Sequence, residues 1–196
     1  MKIATLISRL FEPMMVLSVL VAVGAFRSGL EGMALLQFFA ILFFGMTVPV
    51  ALFRYWIVKT GRVKDWDIHK RKERIKPLGT LVLFTFFFLF VVSRTTNPFL
   101  VTLFEVLLLW IVGFFLLSLK IKASGHVGII TLAVLFAMQW YGVFAIPLFI
   151  LPFLVAWARL IRKDHTLSEV VVGAGWSAIV AIAYSIAYTL AYTFIM

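Results

Sequence analysis

The chain has 196 residues, of which 64% are apolar and only 13% charged, with a mean hydropathy of +1.11. Water-soluble domains carry about 45–50% apolar and about 25% charged residues, so neither a soluble single-core protein nor a disordered chain fits. Eighteen Lys and Arg stand against eight Asp and Glu, and the absence of cysteine excludes disulfide frameworks, thiol nucleophiles and Cys-based metal sites. In so apolar a chain the positive excess points to loops beside anionic lipid or to an anionic substrate, and not to nucleic acid.

A membrane-spanning helix needs about 20 mainly apolar residues at about 1.5 Å each. The sequence predicts spans over 3–26, 33–58, 77–93, 98–119, 127–144, 145–161 and 167–195. The expected fold is therefore all-α, a polytopic transmembrane bundle of six or seven spans forming one domain over 1–196. Ser8, Arg9, Glu12 and Pro13 interrupt the first span, so its start is expected partly in the interface. No short apolar region followed by a small-residue cleavage site is present, which argues against a cleaved signal. Pro49 is expected to kink the second span, and Arg54 to snorkel out of it. The stretch Leu78–Val92 is thick with Phe and is broken from the next span by Arg94-Thr95-Thr96-Asn97-Pro98. Tyr141-Gly142 divides the fifth span from the sixth, and Pro147 and Pro152 predict irregular helix just beyond it.

These spans put the N-terminus and the segments near 59–76, 120–126 and 159–168 on one face. Sixteen basic residues fall there, against Arg27 and Arg94 on the other. By the positive-inside rule the crowded face is cytoplasmic, which implies the inner membrane of a cell. The histidines His69, His126 and His165 all lie at span ends beside other polar groups. Ser124-Gly125-His126 opens the fifth span after Lys120 and Lys122, and Arg159 precedes His165 and Glu169 at the start of the last. If His165–Glu169 is the first helical turn, the four-residue spacing puts both side chains on one face. A carboxylate there fixes the imidazole tautomer and raises its basicity, as a nucleophilic or proton-transferring histidine needs. Thr166 or Ser168 can cap that helix. Gly125 and the N–H groups opening the fifth span suit close approach of an anion.

Each signal alone has a plainer reading. A His–Glu pair at this spacing is commonly a surface helix pair, Ser-Gly-His a helix start, and the basic run Lys70–Lys76 a lipid-headgroup anchor. Glu105, inside the fourth span, is open between a functional group and an interhelical hydrogen-bond partner. The balance shifts because three such signals, separated by two spans each, fall on one membrane face.

On these residues the sequence resembles the type 2 phosphatidic acid phosphatase (PAP2) superfamily, whose motifs are Lys-x6-Arg-Pro, Pro-Ser-Gly-His and Ser-Arg-x5-His-x3-Asp. The second motif reads Ala123-Ser124-Gly125-His126 here, lacking only the proline. The third reads Ala158-Arg159, five residues, His165, three residues and Glu169, with Ala for Ser and Glu for Asp. The first is degenerate; Asp65 to Arg74 looks like a divergent branch in which an acidic residue precedes an Arg-x2-Arg pair. The resemblance covers about 65–170.

It implies a PAP2-like core and a phosphohistidine mechanism. His165 would attack phosphorus, Glu169 would orient it, and His126 would protonate the leaving oxygen and then activate water. Arg159, Ser124, Gly125, Lys122, Arg71, Arg74 and Lys76 would bind the phosphate oxygens. The scheme requires no metal or other cofactor. The implied partners are a lipid phosphate or diphosphate substrate and the surrounding lipid. Two alternatives share the scaffold: transfer of phosphate or a phospho-headgroup to an alcohol, and a non-enzymatic lipid-phosphate binder or transporter. A pure anion binder has no need of the His126, His165 and Glu169 set.

Overall fold

The computed structural model describes residues 1–61, 71–94 and 97–195, with side chains described except at 54, 71–73 and 187–195. All regular structure among the described residues is helical. Five helical stretches there are long and apolar enough to cross a membrane, or six if one bent pair counts as a single span. The chain divides into two compact units, Leu20–Ile121 and Met1–Val19 with Lys122–Met196.

The bent pair is the first predicted span. Helices α1 (Lys2–Leu10) and α2 (Pro13–Arg27) meet at 41°. The break has a local cause. The Glu12 carboxylate accepts from the Met14 N–H at 3.0 Å, capping α2 one residue ahead of Pro13, whose missing N–H costs nothing at a helix start. Helix α1 buries Ala4, Ile7 and Ser8, while Ile3, Leu6 and Leu10 remain exposed. An apolar stripe on a helix ending in a basic turn suits a membrane interface.

In the unit Leu20–Ile121, α3 (Gly32–Leu42) runs through a π-turn at Phe43–Thr47 into α4 (Val48–Lys59). Pro49 cannot donate to the helix ladder, and its ring crowds the carbonyl four residues back. The wider turn ahead of it takes up that conflict, as such bulges do. Helix α5 (Arg71–Val92) packs on α6 (Pro98–Ser118). Asn97 caps α6 by accepting from the Leu100 N–H at 3.1 Å, and its amide donates to the Ser28 carbonyl at 3.1 Å. Pro98 follows at the first helical position, where it is well tolerated. Phe38, Phe88 and Phe104 form the aromatic centre, with ring centroids of 88 and 104 at 4.9 Å. The Phe-rich stretch turns only part of itself inward: Phe88 is buried, while Leu83, Phe86, Phe87 and Phe90 face out. Such an apolar exterior suits hydrocarbon and not water.

In the other unit the 37-residue stretch Gly125–Ile161, read from sequence as two spans, is one helical run. It comprises α7 (Gly125–Tyr141), a 3-10 segment (Gly142–Phe149) and α8 (Ile150–Ile161). The break falls at Gly142, whose φ of +57° disfavours any side chain. The run doubles back, because groups at its two ends bond each other: Lys122 Nζ donates to the Asp164 carbonyl at 2.6 Å. With the 3-10 segment before it, the returning limb Gly142–Ile161 has at least as many residues as α7.

Helix α9 (Leu167–Ile195) lies parallel to α7. Ser177 Oγ donates to the Gly128 carbonyl at 2.7 Å, and Gln139 Nε2 donates to Ser185 Oγ at 2.6 Å and the Ala181 carbonyl at 3.0 Å. Gly173, Ser177, Ala181 and Ser185 recur every four residues, the small-residue stripe that lets membrane helices approach closely. A Cβ at Gly173 would stand 2.5 Å from the Ser124 carbonyl oxygen. The start of α7 is thereby seated on the first turns of α9.

Candidate active site

Two helix-end motifs, back to back, build the segment 159–169. Helix α8 closes with Lys163 in the left-handed region at φ +58°. The Lys163 N–H donates to the Leu160 carbonyl at 2.9 Å and the Asp164 N–H to that of Arg159 at 3.1 Å. This is a Schellman closure. It folds Asp164 back over Arg159. Three residues later Thr166 opens α9. The Thr166 N–H donates to Glu169 Oε2 at 3.2 Å and the Glu169 N–H to Thr166 Oγ1 at 3.4 Å, a reciprocal capping box.

The capping box turns Glu169 toward His165, with Nδ1 to Oε2 at 2.8 Å. The expected pairing is present, by a different route. The helix begins at Leu167, so His165 precedes the cap and reaches its partner from outside the first turn. In the tautomer in which Nδ1 donates to this carboxylate, the ring's lone pair lies on Nε2. The His165 side chain is 1% exposed and Glu169 19%.

Arg159 is buried in the same turn. Its Nη1 donates to Ser8 Oγ at 2.6 Å and lies 3.2 Å from Asp164 Oδ2, which also lies 2.8 Å from Arg162 Nε. The desolvated guanidinium is thus met by a carboxylate and a hydroxyl, as burial of a charge requires.

The predicted second motif joins this segment through main chain. The Ser124 N–H donates to the Glu169 carbonyl at 3.0 Å. Ser124 is fully buried, and its Oγ makes no hydrogen bond among the described residues. Gly125 and His126 follow in the first turn of α7, both half-buried. Lys122 is held by its bond to the Asp164 carbonyl. Thus Lys122, Ser124, Gly125, His126, Arg159, His165 and Glu169 gather at the α7 start and the α8–α9 turn.

The remaining predicted residues belong to the unit Leu20–Ile121. Arg74 and Lys76 lie in the first turns of α5, in the unit Leu20–Ile121, with Arg74 half-buried and Lys76 exposed. Arg71 begins that helix, but its side chain lies outside the described residues, as does all of Arg62–Lys70 including His69. Glu105 is exposed on α6. Among the described residues no group of three or more His, Asp or Glu is placed to hold a metal ion.

Sequence reasoning missed two residues here. Asp164 lay inside the unspecified stretch between Arg159 and His165; an acid directly after Arg162 and Lys163 was the available signal. Ser8 registered only as an interruption of the first span. Compared with known proteins, the chain matches no family model, no curated protein and no solved structure.

Proposed function

We propose that the protein is an integral membrane phosphatase of PAP2 type, hydrolysing a lipid phosphate or diphosphate through a phosphohistidine. The observation that carries this reading is the 2.8 Å contact of His165 Nδ1 with Glu169, one turn of chain from a buried arginine. A tautomer fixed in this way is what a nitrogen nucleophile needs.

His165 Nε2 attacks phosphorus, a P–N bond forms and the P–O bond to the leaving group breaks. His126 gives its proton to the departing oxygen. It then takes a proton from water, whose oxygen displaces the histidine and releases phosphate. Arg159 and the N–H groups opening α7 stabilise the charge on the equatorial oxygens. Because the His165 ring is closed off, the incoming phosphate reaches Nε2 only as neighbouring side chains shift. An amphiphile suits such a place, with its head at the basic turn and its tail between helices. The basic turn faces the cytoplasm in this reading, in a cell inner membrane.

The test is phosphate release from phosphatidate, phosphatidylglycerophosphate and polyprenyl diphosphate by the purified protein and by His165→Ala. Activity on one of them that is lost in the variant is expected. Activity retained by His165→Ala, or none on any substrate, rejects the proposal.

A further inference from the structure

We infer that Ser8, on the first helix of the chain, is a positioning residue for Arg159; this rests on the phosphatase reading above. Helix α1 packs against α8 and buries Ala4, Ile7 and Ser8 against it. Ser8 is 2% exposed, and its hydroxyl oxygen accepts from Arg159 Nη1 at 2.6 Å. A serine in an otherwise apolar helix contact is costly unless it is bonded, and here its partner is a charged group.

The geometry gives the contact a direction. Nη1 carries two hydrogens; one points to Ser8 Oγ and Asp164 Oδ2 lies 3.2 Å from the same nitrogen. The hydrogen bond at Nη1 restrains rotation of the planar guanidinium and so sets the line of its Nε–Nη2 edge. That edge is the one a phosphate meets through two parallel bonds. Asp164 balances the charge. Ser8, arriving from a different helix, fixes the tilt. Neither the motif spacing nor the local chain path of 159–169 contains this information.

The test uses the full chain in lipid nanodiscs and the substrate found active above. Ser8→Ala is expected to lower kcat by about tenfold to a hundredfold, the range for losing a hydrogen bond to a charged group, with little change in KM. Ser8→Thr, which keeps the hydroxyl, restores most of the rate. In an Arg159→Lys background, Ser8→Ala has no further effect on kcat. Ser8→Ala turnover equal to the parent's overturns the inference, as does an equal fractional loss in both backgrounds, which marks a packing role.

A second readout separates this inference from the phosphatase reading. Phenylglyoxal modification of Arg159, followed by mass spectrometry, is expected to be faster in Ser8→Ala and slowed by inorganic phosphate in the parent. If the parent hydrolyses nothing yet shows this pattern, phosphatase chemistry falls and Ser8 stands as the group that orients an anion-binding arginine. Equal labelling of Ser8→Ala and parent overturns the role of Ser8 whether or not the protein is a phosphatase.

Discussion

A buried guanidinium with a carboxylate and a hydroxyl on one nitrogen is a sensitive place to substitute. Lysine keeps the charge at position 159 but presents a single point of attachment, so it cannot serve Ser8 and Asp164 and also offer the two parallel donors the proposed phosphate contact needs. Arg159→Lys is expected to fold and to lose turnover by about tenfold or more, measured as phosphate release at saturating substrate. Near-normal turnover would move Arg159 into a structural role. The two histidines should fail differently. His165→Ala is expected to form no phosphoenzyme with any substrate. His126→Ala, given a substrate with a good leaving group, is expected to accumulate acid-labile, base-stable phosphohistidine, because in the proposed mechanism the water step then lacks its base. Label persisting in the His126→Ala/His165→Ala double variant would overturn this division of roles. The His165–Glu169 pair was legible in the sequence because its spacing is local. The Ser8–Arg159 bond was not, because it joins positions 151 residues apart and a lone serine carries no mark of its partner.

At the scale of helices, the ends matter more than the middles. The cap was legible only as Thr166 or Ser168; the structure uses Thr166, with Glu169 at the capping-box spacing. The Schellman closure of α8 was not legible, because Lys163 occupies the left-handed position where glycine is the usual signal. Lys163→Val is expected to destabilise the fold, since a β-branched residue at φ +58° is strained, while Lys163→Gly is expected to hold or raise the unfolding midpoint. The parallel packing of α7 and α9 gives a sharper expectation. At Gly173 even one methyl meets main chain at 2.5 Å, and main chain cannot swing aside. Gly173→Ala should cost about 1–3 kcal/mol and lower the thermal midpoint by several degrees in detergent. An unchanged midpoint would show that the two helices part easily. The π-turn before Pro49 illustrates a different limit: proline announces a conflict, but the backbone chooses how to absorb it.

For the whole molecule, hydropathy made the helical class and most break points plain. It did not settle the span count: the stretch Gly125–Ile161, divided from sequence at Tyr141-Gly142, is one continuous helical run whose flanking groups nonetheless bond each other. Bonds between Lys122 and Asp164, and between Ser124 and Glu169, place the segments before α7 and before α9 together. With no native cysteine, single substitutions give an unambiguous readout of sidedness. Cysteines introduced at Arg62 and Lys163 are expected to react with an impermeant maleimide from the cytoplasmic side, and those at Arg27 and Arg94 from the other. Opposite labelling of positions 62 and 163 would overturn both the topology and a site that combines Arg71, Arg74 and Lys76 with Arg159. Agreement from outside would reverse the orientation alone.

The unit that holds the candidate site is assembled from the first nineteen residues and the last seventy-five, and this has a consequence for biogenesis. A ribosome adding about 5–20 residues per second delivers α1 into the membrane roughly 8–30 seconds before Arg159 exists. Through that interval the inner face of α1, with Ser8 on it, has no mate, and its apolar outer stripe is what can hold it at the lipid surface. Docking of α1 on α8 is then among the last events of maturation, so a nascent chain arrested before α8 should leave α1 open to protease while the finished protein shields it.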